Sequence, residues 1–268
     1  MTNMPNAPLI YSLGLVRFPR VPDVQRFADA FHELIRGAYP VHTAMMLPVM
    51  SATFGPDGLR VETQQTWIVQ FASPDKKWAF LLTEEILVLH TVAYDNHRDF
   101  AEKFKVGLDA LLRVPGIGVQ WLEAVGMRYV DLVVPRADET LEQYLRPWIL
   151  PAAVPEVPGG LSIQEGMYVA TYHTAVGDLR FQALRNPPTT LPPELDTPIF
   201  QGNGWKLERP ESDFAVMDVD HGCRFDPLVP MNVEVACAKM LELRAVAKEL
   251  FLASGTDHAK KVWNEKRQ

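Results

Sequence analysis

The chain has 268 residues, 47% of them hydrophobic and 22% charged, a composition typical of a globular protein rather than a disordered one. Its formal net charge of −7 disfavours nucleic-acid binding through the overall electrostatic field. Two cysteines, Cys223 and Cys237, do not indicate a disulfide framework. The N-terminus lacks the pattern of a signal peptide, and no apolar run reaches the roughly 18 residues of a membrane span. We therefore expect a cytoplasmic protein without membrane-spanning segments.

The first 146 residues alternate between strand-like and helix-like patterns. Residues 9–18 predict a strand, and Asp23 is the expected N-cap of a helix that ends before Gly37. A second helix is expected after Asn96 and before Pro115. Three or four strand candidates with short connections lie between the helices, at residues 61–71, 78–82 and 86–92 and, with a weaker pattern, at 45–54.

This order of elements predicts the fold of the N-terminal half. It runs βα, several β, then αβ, which in an antiparallel sheet is the ferredoxin-like order with extra strands. The first and last strands of this half should then lie beside or near each other at the centre of the sheet. We expect an α+β fold, with a smaller second α+β half that carries a long C-terminal helix.

A strand predicted at residues 126–135 carries two charges on an apolar background. Alternation places Arg128 on one face of this strand and Asp131 on the other. A charge on an apolar strand face is costly unless it is paired. Each of the two is therefore expected to be part of an ion pair or of a site, and we predict that Arg128 is buried beside a carboxylate.

The second half begins after a segment rich in proline and glycine at residues 147–160, which we interpret as a linker between domains 1–146 and 161–268. A hairpin is expected from residues 163–172 and 179–184, followed by a short strand at 214–219. A long helix at residues 233–252 and a last helix that buries Trp263 complete the chain. Thr256 or Asp257 could cap this last helix.

The strongest candidate for chemistry is the segment from Asp218 to Cys223. Alternation sends Asp218 and Asp220 to the same side, and His221 follows them directly. Such a set could hold a magnesium or zinc ion, but its spacing matches no dedicated metal motif and aspartate with glycine is also typical of a turn. We favour the turn and expect no metal and no cofactor.

Several segments together resemble those of a sporadically distributed, uncharacterised bacterial protein family of similar length. The segments are residues 9–18 with the helix that follows them, 127–131 with 141–145, 217–220, and 251–263. Typical members have Asn at the position of Asp131 and Gly at the position of Asn264. The resemblance spans nearly the whole chain and implies a bacterial cytosolic origin, but no activity, substrate or catalytic residue.

Two functions follow as expectations. The first is a non-enzymatic binding or interaction module that engages a protein partner, with Trp148 and Trp205 as anchors; packing of both tryptophans under long loops is the alternative. It rests on the lack of a nucleophile elbow, a His-Glu-x-x-His pattern or a phosphate-binding loop. The second is a metal-dependent enzyme acting on a nucleotide or RNA phosphodiester, with Asp218, Asp220 and His221 at the metal and Arg128 stabilising charge. The partner and the oligomeric state, including a homo-oligomer, stay open.

Overall fold

The computed structural model describes residues 4–55, 58–150, 161, 163–195, 205 and 207–265. The strands are β1 (Leu9–Arg17), β2 (Val41–Gly55), β3 (Gly58–Ala72), β4 (Trp78–Leu82), β5 (Ile86–Thr91), β6 (Trp121–Val133), β7 (Gly166–Thr174), β8 (Gly177–Arg185) and β9 (Ala215–Pro230). The helices are α1 (Gln25–Ile35), α2 (His97–Arg113), α3 (Leu141–Tyr144), α4 (Val233–Ser254) and α5 (Asp257–Asn264). No helix within these ranges is long and apolar enough to cross a membrane.

All nine strands belong to one antiparallel sheet, in the order β2-β3-β4-β5-β1-β6-β9-β8-β7. β1 lies at its centre between β5 and β6, so the first and last strands of the N-terminal half are neighbours as the sequence predicts. β6 pairs on its other side with β9, from Val133 opposite Ala215 to Trp121 opposite Pro230. The sheet therefore continues from the N-terminal half into the C-terminal half.

The predicted ferredoxin-like α+β fold is wrong. In that fold the last strand of the N-terminal half would complete a small sheet, whereas here β6 carries β9, β8 and β7 beyond it. The strands of the C-terminal half extend the same sheet instead of forming a second α+β layer. The structure is a large open antiparallel sheet with few helices. The proposed domain boundary at residues 147–160 stays a prediction, because residues 151–160 lie outside the described ranges.

The helices cover one face of the sheet, which we call the helix face. α2 and α4 pack tightly over β1, because Gly14 has no side chain there. A Cβ atom at Gly14 would lie 2.7 Å from Sδ of Met240 and 2.9 Å from a ring carbon of Phe100. This contact brings one residue of each helix against the same central strand.

The opposite face, which we call the loop face, has a smaller apolar cluster. Tyr11 and Val130 project from the sheet, and Leu191 and Leu195 cover them from the segment between β8 and β9. A β-bulge between Leu9 and Tyr11 turns the Tyr11 side chain to this face, since the register against β6 shifts by one residue there. Leu9 and Tyr11 would otherwise lie on the same face.

The helix ends test the predicted caps. Asn96 caps α2, and its Oδ1 accepts hydrogen bonds from the backbone N–H groups of Arg98 and Asp99 at 3.0 Å, as predicted. Thr256 caps α5 in the same way, and Trp263 is buried. Asp23 is not a cap: it has a φ of 51°, and α1 begins after Val24 without a side-chain cap.

Candidate functional site

The buried charge on β6 has the partner that the sequence predicts. Arg128 is 8% exposed, and its Nε and Nη2 donate hydrogen bonds of 2.7 Å to the two carboxylate oxygens of Asp218 on β9. Nη2 also donates to Glu194 at 2.6 Å. Burial alone would lower the pKa of Arg128, but Asp218 and Glu194 outweigh it and raise the pKa above its ordinary value. Arg128 is therefore a permanently charged group inside a bidentate ion pair.

The segment from Asp218 to Cys223 is not a turn, which corrects the prediction for it. All six residues lie within the 16-residue strand β9, where Asp218 pairs with Val130 and Asp220 with Arg128. Asp218 and Asp220 share the loop face as predicted, and Asp220 lies between Arg128 on β6 and Arg180 on β8. The aspartates stay in a strand because basic side chains on the neighbouring strands offset their charge.

His221 points to the helix face, away from both aspartates. Its Nδ1 lies 2.9 Å from the carbonyl oxygen of Leu243 on α4, and its Nε2 lies 3.0 Å from the hydroxyl of Thr174. Burial lowers the pKa of His221, which favours the neutral ring. Asp218, Asp220 and His221 therefore do not converge on one point. Within the described ranges, no group of three or more such ligands could hold a metal ion.

The two tryptophans that the sequence offers as anchors differ. Trp205 is half-buried, and its indole N–H donates a 2.6 Å hydrogen bond to the carbonyl of Lys76 while the ring packs against Tyr11 and His90. Trp148 is 44% exposed, with one edge against Tyr168. Trp148 thus remains available to a partner, whereas Trp205 packs against the loop face.

A cavity of about 780 Å³ lies on the helix face, between the sheet and the helices. It is within the size range of cavities that bind small molecules. Its walls come from the N-terminal segment, the start of α2, the centre of the sheet, α4 and the end of α5. The lining residues are Met4, Ala7, Leu9, Tyr94, Asn96, His97, Arg98, Tyr129, Asp131, Val219, Arg244, Ala247, Lys248, Phe251, Leu252 and Asn264.

Asp131, the second charge-bearing residue of β6, lines this cavity from the sheet. It is 4% exposed, and its cross-strand neighbours are the apolar Leu9 and Met217. Its carboxyl group has no hydrogen-bond or ion-pair partner within the part of the chain that the structure describes. Burial, and then the charge of Asp218 across the sheet, raises its pKa to about 8. Near neutral pH the group is therefore mainly the uncharged acid, able to donate one hydrogen bond into the cavity and to accept others.

Basic side chains line the same cavity from the helices. Arg244 of α4 lies near the hydroxyl of Tyr129 and partly offsets the rise that burial causes in the pKa of Tyr129, whose oxygen lies 3.3 Å from that of Tyr94. His97 lies in the first turn of α2. Burial, and then the positive charges of Arg244, Arg98 and Lys248, lower the pKa of His97. The side chains in this part of the cavity therefore create a positive potential. Phe251 and Leu252 of α4 add apolar surface.

The sequence revealed one wall of this site and not the others. Alternation marks Asp131 as an acid on an apolar strand face, which is a signal of either a pair or a site. Arg244 and His97 read as surface residues of amphipathic helices, and nothing in their local pattern shows which strand they face. The β1 bulge, which turns Leu9 to the same face as Asp131, has no sequence mark that we can identify.

Comparison of the chain with protein-family models, curated proteins and solved structures gave no match. The resemblance to a bacterial family of similar length stays a prediction.

Proposed function

We propose that the protein is a binding module, without catalytic activity of its own, that takes a small molecule into the helix-face cavity. The observation that carries this proposal is Asp131, a carboxyl that is 4% exposed and lacks a partner within the described residues. The oxygens of Asp131 border the cavity and are not fully enclosed by protein. A ligand in the cavity can therefore hydrogen-bond a carboxyl that no described residue pairs with, which gives the cavity a reason to be occupied.

The composition of the lining supports the same proposal. Small-molecule sites are mostly apolar, with a few polar groups that converge on the ligand and fix its orientation. Here Val219, Phe251 and Leu252 supply apolar surface, while Asp131 lines the cavity from the sheet and Arg244 lines it from α4. Such a lining can hold and orient a ligand without taking part in a reaction.

The two functions expected from the sequence find different support. Binding of a protein partner stays a proposal, for which Trp148 offers an exposed aromatic surface. The metal-dependent enzyme finds no support in the geometry, because Asp218 is held by Arg128 and His221 lies on the other face of the sheet.

The proposal is tested by filling the cavity. Ala247 is 1% exposed and lines the cavity, so Ala247→Phe should occupy part of its volume. Ala245→Phe, two residues away on the exposed side of α4, is the matched control. We expect the neutral fluorophore N-phenyl-1-naphthylamine to bind the wild type and the control at one molecule per chain, and the filled variant at least tenfold more weakly. Equal binding by all three proteins would reject the site.

A further inference from the structure

The cavity lining combines several positively charged side chains with a single buried acid, and their balance of charge bears on which ligand the cavity binds. Arg244 lies near the Tyr129 hydroxyl, and His97 is close enough to Arg244, Arg98 and Lys248 for all three to oppose its protonation. Asp131 is the one acidic residue in the described lining. Arg98, Arg244 and Lys248 outnumber it, so the lining carries net positive charge even when Asp131 is ionised.

A net positive charge next to apolar surface selects for a particular kind of molecule. A cation would be repelled, and a neutral apolar molecule would leave Arg244 without a counter-charge. An anion gains charge-assisted hydrogen bonds, which are about twice as strong as neutral ones. The N-terminus of the 17-residue helix α2, where His97 and Arg98 lie, adds its positive dipole to the same side.

We propose that the cavity binds a small organic anion, with its acidic group at Arg244 and His97, its apolar part against Phe251 and Leu252, and a hydrogen bond from Asp131. This inference rests on the proposed function and adds the class of ligand to it. A volume of about 780 Å³ exceeds what a bare inorganic anion needs and suits a molecule with one or two rings or a short chain.

Two fluorophores that differ by one charged group test the ligand class. The compound 8-anilino-1-naphthalenesulfonate has the framework of N-phenyl-1-naphthylamine plus a sulfonate. We expect the wild type to bind the sulfonate compound at least tenfold more tightly than the neutral one, at one molecule per chain. Near-ultraviolet circular dichroism of the same samples checks that binding is to the folded protein, since partly folded chains also bind this dye.

Substitution of single residues then locates the anion. Arg244→Gln should weaken binding of the sulfonate compound at least tenfold and leave that of the neutral compound within about twofold. Arg180→Gln is the control, because Arg180 is an exposed arginine on the loop face of β8. Asp131→Leu should weaken binding of the sulfonate compound, while Asp131→Asn, which keeps a hydrogen-bond donor, should restore much of it.

The outcomes separate this inference from the proposed function. If both compounds bind equally well and Ala247→Phe excludes both, the site stands and the anionic class is wrong. The class is also wrong if Arg244→Gln binds the sulfonate compound like the wild type. If neither compound binds the wild type, or if Ala247→Phe binds both normally, the cavity is not a binding site and both proposals fail.

Discussion

Arg128 on β6 donates hydrogen bonds to both carboxylate oxygens of Asp218 on β9, one from Nε and one from Nη2, each 2.7 Å long. The two residues are 90 positions apart in the chain, and both side chains are largely removed from water. Their bond joins the N-terminal strands of the sheet to the C-terminal ones.

Asp218→Ala should destabilise the protein strongly. Removal of one member of a buried pair leaves the other charge without compensation, which typically costs about 3–5 kcal/mol. Glu194 is half-exposed and contacts one nitrogen of Arg128, so it should recover a minor part of this loss. The free energy of unfolding in urea measures the effect. Glu85→Ala, which breaks the exposed pair with Arg17, is the control and should lower the free energy of unfolding by about 1 kcal/mol or less. Similar losses of unfolding free energy in both variants would contradict our description of the Arg128 pair.

Asp131→Asn should change how stability depends on pH. Unfolded, the Asp131 carboxyl ionises near its ordinary pKa of 3.8, whereas in the folded protein its pKa is about 8. Between these values the folded state binds more protons than the unfolded state, so the contribution of Asp131 to stability falls as the pH rises. Asparagine does not titrate. The variant should therefore gain stability relative to the wild type as the pH rises from about 4 to 8, by a few kcal/mol in total. Urea unfolding at several pH values measures this gain. A difference in unfolding free energy that does not change with pH would contradict the burial of an unpaired acid.

Gly107→Ala should destabilise the protein although it lies within helix α2. In an exposed helix this change stabilises by up to about 1 kcal/mol. Here the added Cβ would overlap the ring of the buried Phe80, so the helix or the ring must move. Overpacking of this kind typically costs about 1–3 kcal/mol, and we expect the cost to exceed the gain. A lower melting temperature supports this packing, and Gly37→Ala, where nothing lies within 4 Å of the new atom, is the control.

The two halves should unfold together. Because β6 pairs along its length with β9, opening either half exposes a central strand of the other. Trp78 on β4 and Trp263 on α5 report on opposite parts of the chain. We expect variants that keep one or the other as the main fluorophore to show the same urea midpoint, and circular dichroism to follow the same curve. Two separate midpoints would favour independent domains.

Local patterns in the sequence identify many of the elements. Alternation and chain punctuation give β4 its observed bounds, and side-chain chemistry identifies Asn96 as a cap. They fail at β9, where Asp218, Asp220 and His221 interrupt the apolar pattern and suggest a turn. The partners that make these residues acceptable in a strand are Arg128, Arg180 and the carbonyl of Leu243, all far away in the chain.

The same limitation applies to the fold and to the candidate site. The order of elements is compatible with a small sheet that closes at β6, and only the pairing of β6 with β9 shows that the sheet continues. The cavity depends on how α2 and α4 settle over the sheet, which Gly14 permits but does not reveal in advance. Asp131 could be recognised as unusual, while Arg244 and His97 could not.

The pairing of β6 with β9 also has a consequence for synthesis of the protein on the ribosome. When Arg128 has been made, its partner Asp218 is still 90 residues away. At ribosomal speeds of roughly 5–20 residues per second, this delay lasts about 5–18 s. Throughout it, one edge of β6 and one guanidinium group have no partner, and an unpaired edge can join another chain. The nascent chain is therefore most exposed to aggregation after β6 has emerged and before β9 arrives to cover it.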